Sequence, residues 1–249
     1  MTAVSYAGIR VVLLDVEGTT TPISFVYETL FPYARRRLRE YLRAHATEPE
    51  IARAIELFRR ERRAESIGAD APEWVDVTPA SILESAADYA EWLMERDRKS
   101  PALKELQGLI WRQGYQSGVL RGEVFPDVPD ALRRWRAAGI RTAIYSSGSV
   151  LAQKLLFGTT TLGDLTALID GHFDTAVGAK RDRASYEAIA ATLSVAPNEI
   201  LFLSDTGEEL DAAAKAGCNA ALVIRPGNQK QAAPGIPVVR QLSEVMLDS

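Results

Sequence analysis

Sulfur ligands and imidazoles are scarce in this chain. It carries one cysteine, Cys218, and two histidines, His45 and His172. A single cysteine excludes an intramolecular disulfide and suits a reducing compartment. The histidines lie far apart and lack metal-ligand spacing, which argues against a histidine-built zinc site. Both are expected to be structural. Cys218, between Gly217 and an apolar run, reads as a small buried hydrophobe. Long apolar runs are missing as well. The stretch Ile9–Leu14 is interrupted by Arg10 and stopped by Asp15. It lacks a basic flank and falls short of a signal-peptide core, and nothing else approaches the ~18 apolar residues of a membrane span. Nor is there a large charge excess: 29 Lys plus Arg against 33 Asp plus Glu leave a net charge of −4. That balance disfavours a general nucleic-acid binder. These absences predict a cytoplasmic protein with no membrane and no nucleic-acid partner, and a monomer is expected.

What is present is globular material. Hydrophobic residues at 47% and charged residues at 25% exclude a disordered chain. The 249 residues are many for one ordinary domain and few for two large ones. Continuous apolar runs at Val11–Leu14, Ile140–Tyr145, Glu199–Leu203 and Ala220–Ile224, with a weaker one at Phe173–Val177, suit strands buried on both faces. Helical patterns at Asp127–Ala138, Arg183–Leu193 and Glu208–Ala216 alternate with them. That order predicts an α/β fold with a mostly parallel sheet.

One interval breaks the rhythm. Residues 16–139 separate the first two strands, whereas a parallel crossover needs only about a dozen. Most of the interval reads as helix, at Glu28–Ala46, Ile51–Ser66, Pro79–Asp97 and Ala102–Val119. The prediction is a discontinuous core, residues 1–22 and 123–249, with an all-helical insert at 23–122. The loop Gly68–Pro79 reads as a mobile connection. Tyr33–Ser66 hold ten Arg but also six Glu. Mixed charges at helical spacing predict a solvated face with i,i+4 pairs. Trp74, Trp92, Trp111 and Trp135 read mostly as core, and Pro226-Gly227-Asn228 as a turn.

The chemistry collects where strands end. Asp15-Val16-Glu17-Gly18-Thr19-Thr20 places two acids two residues apart at the end of the first strand. Ligands of open α/β sheets bind at that edge. Two like charges ~4 Å apart repel by about 4 kcal/mol at an effective dielectric near 20, so an acidic pair there needs compensation. A hard divalent cation such as Mg²⁺ supplies it. The second strand runs into Ser146-Ser147-Gly148-Ser149, hydroxyls and free N–H groups at a helix start. Lys180 follows the weak strand, a point charge suited to phosphate. Asp205 follows the next strand, and Glu209, four residues on, is placed to orient Lys180 or a metal-bound water. Each motif alone also reads as an ordinary turn, cap or surface lysine. Their joint occurrence at four strand ends is far more specific.

Those four segments resemble the haloacid dehalogenase-like hydrolases, in the family's order of nucleophile, hydroxyl, lysine and acid. The resemblance implies a Rossmann-like core with an inserted helical cap. It makes Asp15 the nucleophile, Glu17 the acid/base with its backbone carbonyl on the metal, and Ser146 and Ser147 the phosphate binders. Lys180 steadies nucleophile and phosphate, and Asp205 completes a site for one Mg²⁺ per chain, with Asp15 and Glu17. The family pattern has Asp two residues after the nucleophile, where this chain has Glu17. With DVEGTTTPISFVYETLFPY, LQGLIWRQGYQSG, YSSGSVLAQKLLFG, DGHFDTAVGAKRDRASY, LSDTGEELDAA and IRPGN, the chain resembles the enolase-phosphatase (acireductone synthase) branch.

That branch implies a two-step reaction of methionine salvage. A phosphorylated diketone, 2,3-diketo-5-methylthiopentyl-1-phosphate, is enolised and then dephosphorylated. The longer arm of Glu17 makes it the expected carrier of the carbon-bound proton. Trp111 and Tyr115 are candidates to face the methylthio group. The alternatives are a phosphomonoesterase of the same superfamily without enolase activity, a dehalogenase, which Glu17 argues against, and a non-catalytic binding module. The last should lack Asp15, Lys180 or Asp205, and all three are present.

Overall fold

The computed structural model describes residues 3–66, 68–228 and 233–248. It divides into two compact units, Met1–Val26 with Arg121–Ser249, and Tyr27–Leu120.

In the first unit, β1 (Val4–Ala7) precedes β2 (Val11–Leu14). The four side chains of β2 are fully buried, as its continuous apolar run requires. After the helical segment come α5 (Val128–Ala137), β3 (Arg141–Tyr145), α6 (Val150–Gly158), β4 (Gly171–Phe173) and α7 (Arg183–Leu193). Then follow β5 (Ile200–Ser204), α8 (Gly207–Lys215), β6 (Asn219–Val223), β7 (Val238–Val239) and β8 (Val245–Asp248). Here helices are numbered along the whole chain, α1–α4 lying in the other unit. Six strands form one sheet in the order β4-β3-β2-β5-β6-β7, and every pairing is parallel. β2 lies between β3 and β5, so the strand order reverses beside it. Such a switch point opens a crevice at the carboxyl ends of the strands.

The weak strand expected at Phe173–Val177 lies earlier, at Gly171–Phe173. The Asp174 carboxylate explains the stop: it accepts the backbone N–H groups of Val150 at 3.2 Å and Ala176 at 2.9 Å. β1 and β8 form a separate parallel pair with half-exposed, alternating side chains.

The second unit holds a π-helical turn at Phe25–Leu30, whose first residues belong to the first unit, and then α1 (Phe31–Ala44). α2 (Pro49–Ala64), α3 (Pro79–Glu95) and α4 (Pro101–Gln116) follow. Its helices begin with proline near the first helical position, where a missing N–H costs nothing. The arginine-rich stretch is solvated, but its strongest pairs run between helices. Arg39 on α1 meets Glu84, Asp88 and Glu91 on α3, while i,i+3 and i,i+4 pairs join Arg37 to Glu40 and Arg59 and Arg60 to Glu56. The loop read as mobile is tied to α2. Arg62 donates to the carbonyls of Ala71 and Pro72, and Arg59 pairs with Asp76. Among the described residues no helix is long and apolar enough to cross a membrane.

Candidate active site

The register of the sheet brings the strand-end motifs to one edge. Leu14 pairs with Ile144 of β3 and Leu203 of β5. Asp15, Ser146 and Asp205 follow within two residues of those partners. Asp15 is buried, and its backbone N–H donates to the Leu203 carbonyl at 3.0 Å. The chain then turns on the Val16 carbonyl, which accepts from the N–H groups of Thr19, Thr20 and Thr21 at 3.2, 3.0 and 2.9 Å. Gly18 makes this turn possible. It sits at φ +77°, and a Cβ there would collide with the Asp205 carboxylate.

The two oxygens of Asp15 are held from different sides. Lys180 Nζ donates to Oδ1 at 2.5 Å, and the Thr19 hydroxyl donates to Oδ2 at 3.2 Å. Together they fix the rotation of the carboxylate. Lys180 also pairs with Glu209 at 2.6 Å, and the Ser204 hydroxyl donates to the same Glu209 oxygen at 3.0 Å. The lysine's own backbone is anchored: Tyr186 donates to the Lys180 carbonyl at 2.7 Å and Tyr145 to the Gly178 carbonyl at 3.0 Å.

Two carboxylates, those of Asp15 and Glu209, thus contact one ammonium, whose charge Glu17 and Asp205 also feel. Burial alone would push the Lys180 ammonium down, but Asp15, Glu209 and Glu17 outweigh it and hold it well above the usual lysine range. The acids show the opposite imbalance. Burial, reinforced by Asp15, pushes the half-buried Glu17 carboxyl up to about 7 against the pull of Lys180. Burial and Asp15 push Asp205 up to about 6. Glu209 is raised for the same reasons, against Lys180. In each case burial comes first and the neighbouring Asp15 charge second in disfavouring the ionised form.

These residues suit a hard cation. Among the described residues no group of three or more His, Cys, Asp or Glu side chains forms a metal cage. Two carboxylates, Asp15 and Asp205, with a backbone carbonyl such as that of Glu17, are a donor set Mg²⁺ accepts while keeping several waters. A cation held there would offset the burial and the Asp15 repulsion that disfavour the ionised Glu17 and Asp205.

The serine segment has a divided character. Ser146 is buried and accepts the Gly148 N–H at 3.0 Å, whereas Ser147 is exposed. Ser149 caps α6 by accepting from Ala152 N–H at 3.2 Å. Gln153, not singled out in the sequence, donates to the Gly148 and Phe173 carbonyls at 3.1 and 2.8 Å and meets His172 Nδ1 at 3.1 Å. His172 thus packs against the side chain that braces α6, and Cys218 is buried as expected. Trp111 is buried, its indole N–H donating to the Leu30 carbonyl at 2.9 Å. Tyr115 is buried with its hydroxyl unpaired.

Two residues near the edge belong to the IRPGN segment, which the sequence offered both as a turn and as part of the branch resemblance. Arg225 donates from Nε to the Thr19 carbonyl at 3.0 Å and from Nη1 to Asp127 at 3.0 Å. Asn228 donates to the Gly18 carbonyl at 2.8 Å and to Asp205 at 3.0 Å. Their signal was the IRPGN segment following an apolar strand.

Comparison with known proteins identifies the family. Residues 9–217 match the haloacid dehalogenase-like hydrolase family. Enolase-phosphatase E1 of Synechococcus elongatus is 49% identical over 220 residues, 88% of this chain and 90% of that protein. Enolase-phosphatase E1 of Danio rerio is 46% identical over 227 residues, 89% of this chain and 87% of the relative. The crystal structure of the UTR4 protein of Saccharomyces cerevisiae superposes with a TM-score of 0.75 at 34% identity, covering 94% of this chain and 98% of that one. The chain belongs to the haloacid dehalogenase-like hydrolases and, within them, to the enolase-phosphatase family.

Proposed function

We propose that the chain enolises 2,3-diketo-5-methylthiopentyl-1-phosphate and then removes its phosphate. The product is the acireductone 1,2-dihydroxy-3-keto-5-methylthiopentene, an intermediate of methionine salvage. The observation that carries the reading is the buried Asp15–Lys180 contact beside Glu17, a carboxyl pushed up to about 7. Glu17 sits two residues from the nucleophile at the same strand end, where a carboxyl whose charged form burial and Asp15 disfavour suits a group that must take and return protons. A cytoplasmic, monomeric enzyme of a small soluble phosphate is part of the same reading.

Each residue then has a task. Glu17 takes the carbon-bound proton of the diketone, leaving an enolate oxygen beside the phosphate ester. An oxygen of Asp15 attacks phosphorus in line as the bond to the leaving enediol oxygen breaks, and Glu17 protonates that oxygen. Water attacks the aspartyl phosphate as Glu17 takes its proton, the Asp15–phosphorus bond breaks to release phosphate, and Glu17 passes that proton to the enolate oxygen, ending as the carboxylate it began as. Lys180 holds Asp15 in its attacking rotation and offsets charge on the phosphoryl group. The Ser146 hydroxyl has its accepting side occupied by Gly148, which leaves its proton for a phosphoryl oxygen, and exposed Ser147 adds a second donor. Mg²⁺, one per chain and held by Asp15, Asp205 and the Glu17 carbonyl, supplies charge neutralisation when bound.

The test offers the synthetic diketone phosphate and follows the enediol absorbance and free phosphate together. Both signals are expected with Mg²⁺, and neither with a chelator present. Phosphate without enediol would instead indicate a phosphomonoesterase lacking enolase activity. A Glu17→Gln variant that enolises at the full rate would remove Glu17 as the proton carrier.

A further inference from the structure

Asn228 lies against the proposed site and has no task in the chemistry above. It closes the turn after β6, its N–H donating to the Arg225 carbonyl at 3.2 Å. Its side-chain nitrogen donates to two oxygens at once, the Gly18 carbonyl at 2.8 Å and Asp205 Oδ2 at 3.0 Å. Those oxygens belong to different loops, one after β2 and one after β5. The two contacts also fix which way the amide faces, since turned over it would set its oxygen against two acceptors. The remaining oxygen, Asn228 Oδ1, is buried and has no hydrogen-bond partner among the described residues.

We infer that Asn228 is a positioning residue of the Mg²⁺ site, holding the Asp205 carboxylate in place against the Gly18 peptide. The inference rests on the Mg²⁺ reading given above. A neutral amide suits the task. A lysine at this point would cancel charge that a cation needs, whereas an amide N–H orients the carboxylate and leaves its charge in place. The Gly18 carbonyl it grips lies one peptide beyond the Glu17 carbonyl, so the same side chain steadies two of the proposed ligands. There is little slack for the loops to reach this register unaided, because Gly18 and Asp205 approach too closely to admit even a Cβ. The unpaired Oδ1 adds an acceptor without adding charge, the complement of the water protons around a hard cation. Groups that orient ligating carboxylates typically change metal affinity by about tenfold to a hundredfold.

Calorimetric titration with Mg²⁺ alone, without substrate, tests the inference on the wild type, Asn228→Ala and Asn228→Ser. The metal-free thermal midpoint of each is measured alongside. The alanine variant is expected to bind Mg²⁺ about tenfold to a hundredfold more weakly. The serine variant, keeping one donor, should lose less, and both metal-free midpoints should stay near the wild-type value. Wild-type affinity in both variants overturns the inference while leaving the Mg²⁺ reading intact. So does a loss of affinity that only follows an equal loss of metal-free stability in both, the mark of a purely structural role. If the alanine variant does not fold, the serine variant decides alone by the same criteria. A wild-type chain that binds no Mg²⁺ overturns the Mg²⁺ reading itself and the inference with it.

Discussion

Each unit of the molecule gathers several acids around one cation, and the two clusters differ in burial. In the helical unit Arg39 meets Glu84, Asp88 and Glu91 at 2.9, 2.7 and 2.7 Å. Its side chain is 35% exposed, and Arg43 offers Glu84 a second partner. Water screens these charges, and each pair contributes about 0–1 kcal/mol. In the core unit Lys180, only 9% exposed, meets Asp15 and Glu209, and no second cation is paired with either acid among the described residues. There burial and Asp15 raise Glu17, Asp205 and Glu209 toward neutrality, while in the helical unit the Arg43 contact holds Glu84 below the usual carboxylate range. Similar ingredients give a helix-to-helix fastening in one place and, in the other, a buried acidic cluster, the proposed site of the cation. Burial turns charge into function here, at a cost in stability.

The sharpest way to break this comparison is to remove one member of the buried cluster. Lys180→Met leaves the acids without their ammonium, and loss of one partner of a buried pair costs about 3–5 kcal/mol. Chemical denaturation at neutral pH without metal should show that loss, and turnover should vanish. Asp15→Asn should behave oppositely in stability. It removes a charge that raises Glu17, Asp205 and Glu209, so the metal-free fold should hold or gain. Phosphate release should nevertheless be abolished. A variant that still turns over would remove Asp15 as nucleophile.

The buried cluster was legible in the sequence because each of its members follows an apolar run. Parallel register then carries strand ends to a common edge, so Asp15, Ser146 and Asp205 needed no tertiary knowledge to be grouped. Lys180 was harder, since its strand is only three residues long and ends earlier than its apolar pattern suggests. Asn228 was legible as a turn residue and, with Arg225, as part of the IRPGN resemblance, but the partners of neither were. Their contacts to Gly18 and Thr19 cross more than two hundred residues of chain, beyond any local spacing rule. The partners of Arg39 were missed for the same reason: helical spacing reports neighbours on α1 and is silent about α3. β1, β7 and β8 escaped because they are short and two of them alternate between half-buried and exposed positions.

A smaller effect separates the units by pH. His172 in the core unit is half-buried against Gln153, and burial, with a lesser push from Lys154, lowers its pKa to about 4. The unfolded chain therefore takes up this proton before the folded one does. Stability from this group is present above about 6.5 and is lost as pH falls toward about 4. His172→Gln should flatten that part of the unfolding profile. The difference from wild type should grow on acidification to on the order of 1 kcal/mol, since the ring is partly solvated. A difference that stays constant with pH would show that the ring proton is not what folding excludes.

The smallest expected change tests the exposed cluster. Arg39→Ala removes three ion pairs at once, yet Arg43 remains beside Glu84 and all the acids face water. The loss should be about 1 kcal/mol or less at low salt and should shrink as salt rises past the point where the Debye length falls below about 10 Å. Unfolding of wild type and variant at two salt concentrations reads both effects. A salt-independent loss as large as that of Lys180→Met would mean that the Arg39 cluster is shielded from water, and the contrast between the two units would no longer be one of burial.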